Sequence, residues 1–205
     1  MAFRDSLLGT RTGYSLFRKL IKADRGMKRL VDDYLLPQPG QTVIDLGCGT
    51  GDLAQFIPAS TRYIGVDHNP AYLAPSSITE GLNSGRRVFI NADLGELNRL
   101  DLPPADSAFA LGVLHHLTDS QALKMIESAM SLLVSGGTLV TVDPVFVPQQ
   151  ASSARVMMAL DRGRFVRQVE HYRFLFDQVR PGATMHLRSD INPFPYNHIV
   201  FVLEK

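Results

Sequence analysis

The chain has little of the material that builds covalent cross-links or strongly charged surfaces. Its 205 residues include a single cysteine, Cys48, which excludes an intramolecular disulfide and a metal site with several cysteine ligands. The 21 lysines and arginines almost balance the 20 aspartates and glutamates, so the formal net charge is +1. Such a balance gives no general attraction to nucleic acid or to an anionic membrane surface. We therefore expect neither as a partner.

Long hydrophobic runs are also missing. No apolar segment reaches the roughly 18 residues that span a bilayer. Charged residues interrupt the apolar positions near the start of the chain, which leaves no signal-peptide core. The content of hydrophobic residues (45%) and charged residues (20%) is typical of a folded globular domain. We expect a cytoplasmic protein without a bound metal, either a monomer or a homodimer.

The middle of the chain alternates short β-rich runs with helical stretches. Residues 118–134 form the clearest helix, since Thr118 and Gln121 match a capping box at its start. Gly136 and Gly137 then predict a break before the fifth strand. The alternation indicates an α/β fold in which a parallel sheet is covered by helices on both faces. The five predicted strands are residues 42–46, 63–66, 87–92, 107–113 and 138–142.

The two ends of the chain depart from this alternation. Residues 14–36 predict two short amphipathic helices, and residues 151–160 and 166–179 predict two more. Two final β-type runs are too close for a helical crossover and should pair as an antiparallel hairpin. We expect one domain with N-terminal helices (1–40), a central core (41–143) and a final part with helices and the hairpin (144–205). The two runs of that hairpin are residues 184–188 and 198–203.

The most specific feature is the segment Val-Ile-Asp-Leu-Gly-Cys-Gly-Thr-Gly at residues 43–51. A buried strand ends there in an acid, Asp45, and continues into a loop with glycine at every second position. Glycine allows positive φ angles and lets a ligand lie against bare backbone. The start of a following helix favours a carboxylate or phosphate at such a loop. The pattern therefore predicts a ligand site, with Asp45 close to a cationic group.

Further polar residues follow the next strands at the same predicted sheet edge. Asp67 ends the second strand, where a carboxylate can accept both hydroxyls of a ribose. Asp93 ends the third strand and is suited to accept from an adenine amino group. The fourth strand ends in residues 111–117, Leu-Gly-Val-Leu-His-His-Leu. Dinucleotide-binding proteins also have a glycine loop, usually G-x-G-x-x-G, so an NAD-dependent oxidoreductase is one alternative.

Taken together, these motifs resemble the class I S-adenosylmethionine-dependent methyltransferases, over residues 42–143. The resemblance is to the small bacterial type (methyltransferase domain 11/12-like). It implies a Rossmann-like, doubly wound, mostly parallel seven-stranded sheet with an antiparallel last strand, and S-adenosyl-L-methionine as cofactor. The cofactor-binding residues that it implies are Tyr14, Arg18, Asp45, Gly47, Cys48, Gly49, Gly51, Asp67, His68, Asp93 and Leu94.

Candidates for catalysis lie at the ends of the fourth and fifth strands. A hydroxyl acceptor gains from a general base near neutral pH, which His115 or His116 could supply. Capping of the strand or contact with the cofactor are the structural alternatives for both histidines. Asp143 could orient the acceptor, or it could simply begin a turn before Pro144. The function that follows is methyl transfer to a small molecule by in-line displacement, with oxygen favoured over nitrogen or carbon as the acceptor atom.

One group of residues in the sequence bears on the chemical class of the molecule that receives the methyl group. Five arginines lie close together against two acids, and arginine binds carboxylate and phosphate well. An acidic or carrier-linked acceptor is one interpretation, and a solvated helix face is the other. A non-catalytic partner subunit or cofactor-binding helper with the same fold is the alternative function. The arginines concerned are Arg155, Arg162, Arg164, Arg167 and Arg173.

Overall fold

The computed structural model describes residues 23–73, 86–148, 150–159, 164–191 and 197–205, and its centre is a twisted mixed sheet. The strand order is β3-β2-β1-β4-β5-β8-β7, with β6 pairing separately with β5. The first five strands pair in parallel, whereas β8 lies antiparallel between β5 and β7. This confirms the predicted α/β fold with an antiparallel last strand. The strands are β1 (Thr42–Leu46), β2 (Arg62–Asp67), β3 (Arg87–Asn91), β4 (Ala105–Leu111), β5 (Leu133–Phe146), β6 (Arg167–Gln168), β7 (Thr184–Arg188) and β8 (His198–Glu204).

The helices are short and connect these strands. A capping box at Thr118 begins the longest one, as predicted: its hydroxyl accepts from the backbone of Gln121, whose side chain accepts from the Thr118 N–H. Within the described residues, no helix combines the length and apolar character needed to cross a membrane. The first 22 residues, and with them much of the predicted N-terminal helix pair, lie outside the described part. The helices are α1 (Ala23–Leu30, continued by a π-helical turn, Val31–Leu35), α2 (Asp119–Leu132), α3 (Ser152–Ala159) and α4 (Val169–Val179), with 3₁₀ turns at Asp52–Phe56, Leu94–Arg99 and Leu114–His116.

Two apolar clusters cover the two faces of the sheet. Alternate strand residues point to opposite faces, so Ile44 belongs to one cluster and its neighbour Val43 to the other. The first cluster contains the buried sides of α2 and α4, and the second contains the buried side of α1 with its π-helical turn. Burial on both faces explains why the strands are continuous hydrophobic runs. The polar ends of the strands remain as the place for a ligand.

Several predicted boundaries were wrong: the helix predicted over residues 166–179 begins only at Val169, after β6, and two strand boundaries differ at glycines. The pair Gly136 and Gly137 lies inside β5, because the backbone of Lys205 exchanges hydrogen bonds with it at 3.1 and 2.9 Å. The fourth strand ends at Leu111 instead of residue 113, because Gly112 has a φ of 68° and turns the chain. Tertiary pairing extends one strand, and a left-handed residue shortens the other.

Candidate functional site

The glycine loop follows the carboxyl end of β1, and three of its residues lie in the left-handed region of φ. The φ angles are 73° at Gly47, 55° at Gly49 and 77° at Gly51. At Gly51 glycine is also required by space, because a Cβ there would overlap the ring of Phe89 on β3. The N–H groups of Gly47 and Cys48 donate to the carbonyl of Val66, at 2.8 and 3.1 Å. The loop is therefore anchored to the end of β2.

Asp67 completes this anchor. Its Oδ2 accepts from the Gly49 N–H at 2.8 Å, and its Oδ1 accepts from the Asn69 N–H at 2.8 Å. The residue is 5% exposed. A carboxylate has about four lone-pair positions, so these two bonds leave acceptor capacity for a ligand. The side chain of His68 is exposed, with Nδ1 3.7 Å from Asp67 Oδ1.

Asp45 lies in the protein interior. It is buried, and its Oδ2 accepts from the hydroxyl of Tyr63 at 2.6 Å. Burial, followed by the negative charge of Asp45, raises the pKa of Tyr63 well above its ordinary value, so the phenol remains a neutral donor. Burial likewise raises the pKa of the Cys48 thiol, with further contributions from Asp45 and Asp67. Cys48 is therefore a neutral packing residue within the loop.

The third strand brings its own acid to the same edge. Asp67 and Asn91 are register partners on β2 and β3, and Asp93 follows two residues later. Asp93 is exposed, and its Oδ1 accepts from the Gly95 N–H at 2.7 Å, which caps the 3₁₀ turn that begins at Leu94. Tyr14 and Arg18, the remaining predicted cofactor contacts, lie outside the described residues.

His115 and Asp143 form a buried pair at the ends of β4 and β5. Asp143 Oδ1 is 2.9 Å from His115 Nδ1 and also accepts from the His115 backbone N–H at 3.1 Å. Asp143 is 1% exposed, and its other oxygen, Oδ2, has no hydrogen-bond partner among the described residues. Burial raises the pKa of Asp143, while the bonds from His115 and then the charge of Arg167 act against that rise. The pair thus fixes the orientation of the His115 ring.

The two neighbouring histidines have different surroundings. The ring of His116 lies against that of His115, with centroids 4.1 Å apart and planes tilted by 39°. His116 is exposed, whereas His115 is 5% exposed. Only His115 is bonded to Asp143, so the structure separates two candidates that were equivalent in the sequence.

Arg167 holds the histidine turn from the other side. Its side chain is 3% exposed, and Nη1 donates to the carbonyls of Leu114 and Phe165 at 2.8 and 3.0 Å. Nη2 donates to the carbonyl of Leu117 at 2.7 Å and lies 2.8 Å from Asp119 Oδ1, to which Nε donates at 2.9 Å. These contacts engage all three nitrogens of the guanidinium with acceptors of the protein itself. Arg167 is therefore an internal structural cation whose side chain is buried rather than offered to an acidic ligand.

An open cleft lies beside this network. It has a volume of about 780 Å³ and lies between the start of α2, the end of β5 and the start of α4. Among the described residues that line it, Asp119 is the only acid, and Arg167 and His171 bind its two oxygens. Burial alone would raise the pKa of Asp119, but these bonds outweigh it and lower the pKa. The other polar side chains of the cleft are Thr118, Ser120, Arg164 and Gln168.

Sequence reasoning missed the partners of several of these residues. The hydroxyl of Tyr63 on Asp45 and the guanidinium of Arg167 on the histidine turn join positions that lie far apart in the chain. The pairing of His115 with Asp143 was also missed, although both ends were candidates. The strand ends did carry a signal for that pair, because β4 and β5 are neighbours in the predicted fold.

Comparison with known proteins identifies a family. A family model described as a methyltransferase domain matches residues 44–139, from β1 to β5. An uncharacterized methyltransferase from Anoxybacillus flavithermus is 26% identical over 63% of this chain and 59% of its own length. One from Bacillus licheniformis is 27% identical over 85% of this chain and 81% of its own. The chain spans less than two thirds of the first relative.

Solved structures share the fold at low sequence identity. Magnesium protoporphyrin IX methyltransferase from Synechocystis PCC 6803, solved with bound S-adenosylhomocysteine, is 22% identical with a TM-score of 0.61, over 88% of this chain and 80% of that one. Mitomycin 7-O-methyltransferase is 16% identical with a TM-score of 0.64, over 89% and 54%. The family model over residues 44–139 and the shared fold agree with the glycine loop and its acids, and together they support a class I S-adenosylmethionine-dependent methyltransferase.

Proposed function

We propose that the protein transfers the methyl group of S-adenosylmethionine to a hydroxyl of a small molecule. The observation that carries the choice of oxygen is the buried pair of His115 and Asp143 at the carboxyl edge of the sheet. A hydroxyl must lose its proton on methylation, and a histidine fixed by a carboxylate is suited to receive it. The similarity in fold to mitomycin 7-O-methyltransferase supports the same choice.

The residues at the strand ends fit the cofactor. Three glycines with positive φ leave bare backbone against which its amino-acid part can lie. Asp67 retains acceptor positions for ribose hydroxyls beyond its two backbone bonds. Asp93 is exposed one strand further along, where it can accept from the adenine amino group. When bound, S-adenosylmethionine would supply an electrophilic methyl group for transfer to the acceptor oxygen.

The histidine pair then has a defined task. Nδ1 of His115 lies 2.9 Å from the Asp143 carboxylate, so in the tautomer whose Nδ1–H donates to that oxygen, Nε2 is the acceptor nitrogen of the neutral ring. His115 takes the hydroxyl proton at Nε2 as the oxygen gains its methyl group. Asp143 stabilises the imidazolium that results. Because His116 lacks the bond to Asp143, it is the weaker candidate for the base.

We also propose an acceptor that carries an acidic group, bound in the cleft beside His171. Arg164 lines that cleft and has no hydrogen-bond or ion-pair partner among the described residues. The charge of Asp119 is already matched by Arg167 and His171. Arg164 therefore remains as a cation for a carboxylate or phosphate, while Phe146, Phe165 and Val166 offer apolar contact.

The first experiment is calorimetric titration with S-adenosylhomocysteine, with NAD as a parallel control. Micromolar binding of S-adenosylhomocysteine alone is expected. Turnover is then measured on hydroxylated acids and on their methyl esters. His115→Ala should abolish most turnover while leaving the affinity for S-adenosylhomocysteine intact, and His116→Ala should have a small effect.

Other outcomes would change the proposal in defined ways. Binding of NAD instead would support an oxidoreductase. Cofactor binding without turnover of any acceptor would support the helper protein. For the acidic group, Arg164→Gln should raise KM for the acids and leave the esters unchanged. The matched control is Arg180→Gln, an exposed arginine after α4. Equal effects of Arg164→Gln on acids and esters would refute the anion contact.

A further inference from the structure

The turn that carries His115 is bracketed by one side chain. The 3₁₀ turn begins at Leu114, and Leu117 follows its last residue, His116. Arg167 binds the carbonyls of both Leu114 and Leu117 through different nitrogens, at 2.8 and 2.7 Å. A planar guanidinium with a fixed fork of donors can span two carbonyls in this way, whereas an ammonium is a point charge on a flexible stem.

The segment that contains Arg167 is joined to the same site by its backbone. The N–H of Phe165 donates to the carbonyl of His115 at 2.9 Å. Two residues further on, β6 pairs with β5, where Arg167 lies opposite Val145. Val145 is only two residues beyond Asp143. Residues 165–168 therefore connect the histidine turn with the strand that carries its carboxylate.

We propose that Arg167 is a positioning residue for His115, which it holds in register with Asp143. The proposal rests on the role of His115 as base in the proposed function. Arg167 acts on the backbone of the turn, and Asp143 acts on the ring. Loss of either constraint leaves the imidazole free to adopt other rotamers, so proton transfer from a well-placed hydroxyl becomes rarer.

Asp119 is the anchor of this arrangement. It binds Nε of Arg167 through Oδ1 and His171 through Oδ2, both within 3 Å. Asp119 is half exposed, with 50% of its side chain accessible, whereas the guanidinium is buried. Replacing Asp119 therefore weakens the orientation of Arg167 without removing its contacts to Leu114 and Leu117. This gives a milder second variant should loss of the arginine prevent folding.

The test compares Arg167→Ala, Arg167→Lys and Asp119→Asn with wild type, and uses Arg180→Ala as the matched control. We expect Arg167→Ala to lower kcat by about tenfold or more while KM and the affinity for S-adenosylhomocysteine change by less than about threefold. Arg167→Lys should remain impaired because it keeps the charge but loses the fork. Added guanidinium ion should restore part of the activity of Arg167→Ala. Asp119→Asn should show an intermediate loss.

A readout that needs no turnover separates this inference from the proposed function. In protein with labelled histidine imidazoles, the His115 resonances should shift in both Arg167 variants, and Arg180→Ala should match wild type. Unchanged His115 resonances would refute the positioning role, as would equal losses of cofactor affinity and kcat. If His115→Ala keeps full turnover, the base assignment fails, and the resonances still decide whether Arg167 positions the ring.

Discussion

Replacing Asp67 tests the link between the glycine loop and the second strand. Its carboxylate accepts two backbone hydrogen bonds of 2.8 Å, and the Gly49 donor is buried. Hydrogen bonds to a charged group contribute about 1.5–3 kcal/mol when buried, and less at a half-buried donor. Asp67→Ala should therefore lower the free energy of unfolding by about 3 kcal/mol, mainly because the Gly49 N–H is left unpaired. It should also weaken binding of S-adenosylhomocysteine.

Two other variants test whether the lost backbone hydrogen bonds cause the loss of stability in Asp67→Ala. Asp67→Asn keeps one acceptor oxygen and places an amide N–H₂ opposite the other backbone donor, so it should fall between wild type and alanine. Asp93→Ala is the control, because Asp93 also accepts from a backbone N–H at the next strand end but is exposed. Its loss should cost only about 0.5–1 kcal/mol.

The assay is urea unfolding followed by circular dichroism, together with calorimetry of S-adenosylhomocysteine. A loss in Asp67→Ala no greater than that in Asp93→Ala would refute the anchoring argument. Weaker ligand binding at unchanged stability would assign Asp67 to the ligand alone. Equal slopes of the unfolding curves in urea are required for the comparison, since the slope reports the surface exposed on unfolding.

Three further predictions follow from burial. Asp143→Asn should flatten the pH dependence of the free energy of unfolding. Burial raises the folded-state pKa of Asp143 above 3.8, so the contribution of this residue to stability is present at low pH and is lost as pH rises through the raised value. If the free energy of unfolding in urea changed equally with pH in wild type and Asp143→Asn, from about pH 4 to 7, this prediction would be contradicted. Gly65→Ala should cost about 1–3 kcal/mol in the same assay, because its Cβ would lie 2.8 Å from Cys48 Sγ and 3.0 Å from Phe89 Cδ1; a neutral result would mean that the strands can separate. Cys48 should react with a thiol reagent only after unfolding, and rapid reaction of the native protein would show that the loop opens.

The features that the sequence predicts well are local. Alternate glycines between residues 47 and 51 permit left-handed backbone, and all three adopt it. The cap of α2 depends on Thr118 and Gln121, three residues apart, and forms as expected. The parallel pairing of the first five strands follows from their alternation with helices. In each case the deciding contacts lie within a few residues or repeat along the chain.

The features that escaped prediction depend on distant partners. Arg167 is one of five arginines for which the sequence left two interpretations, contact with an acidic ligand or a solvated helix face, yet its partners Leu114 and Leu117 precede it by 53 and 50 residues. The bond that Asp45 accepts from Tyr63 on the adjacent strand was likewise not predicted, while its place beside a cationic group stays a prediction. Neither partner can be inferred from composition or spacing, because the packing of the two elements decides which donor reaches which acceptor.

The position of β8 has a consequence for how the molecule reaches its folded state. It is the last strand in chain order, yet it lies between β5 and β7 and pairs with both. Until β8 docks, β5 presents an open edge, and β7 has no neighbour in the sheet. An open hydrophobic edge is a template for pairing with other chains. The edge of β5 therefore depends for its protection on the last strand of the chain, and loss of β8 would expose a hydrophobic strand to other chains.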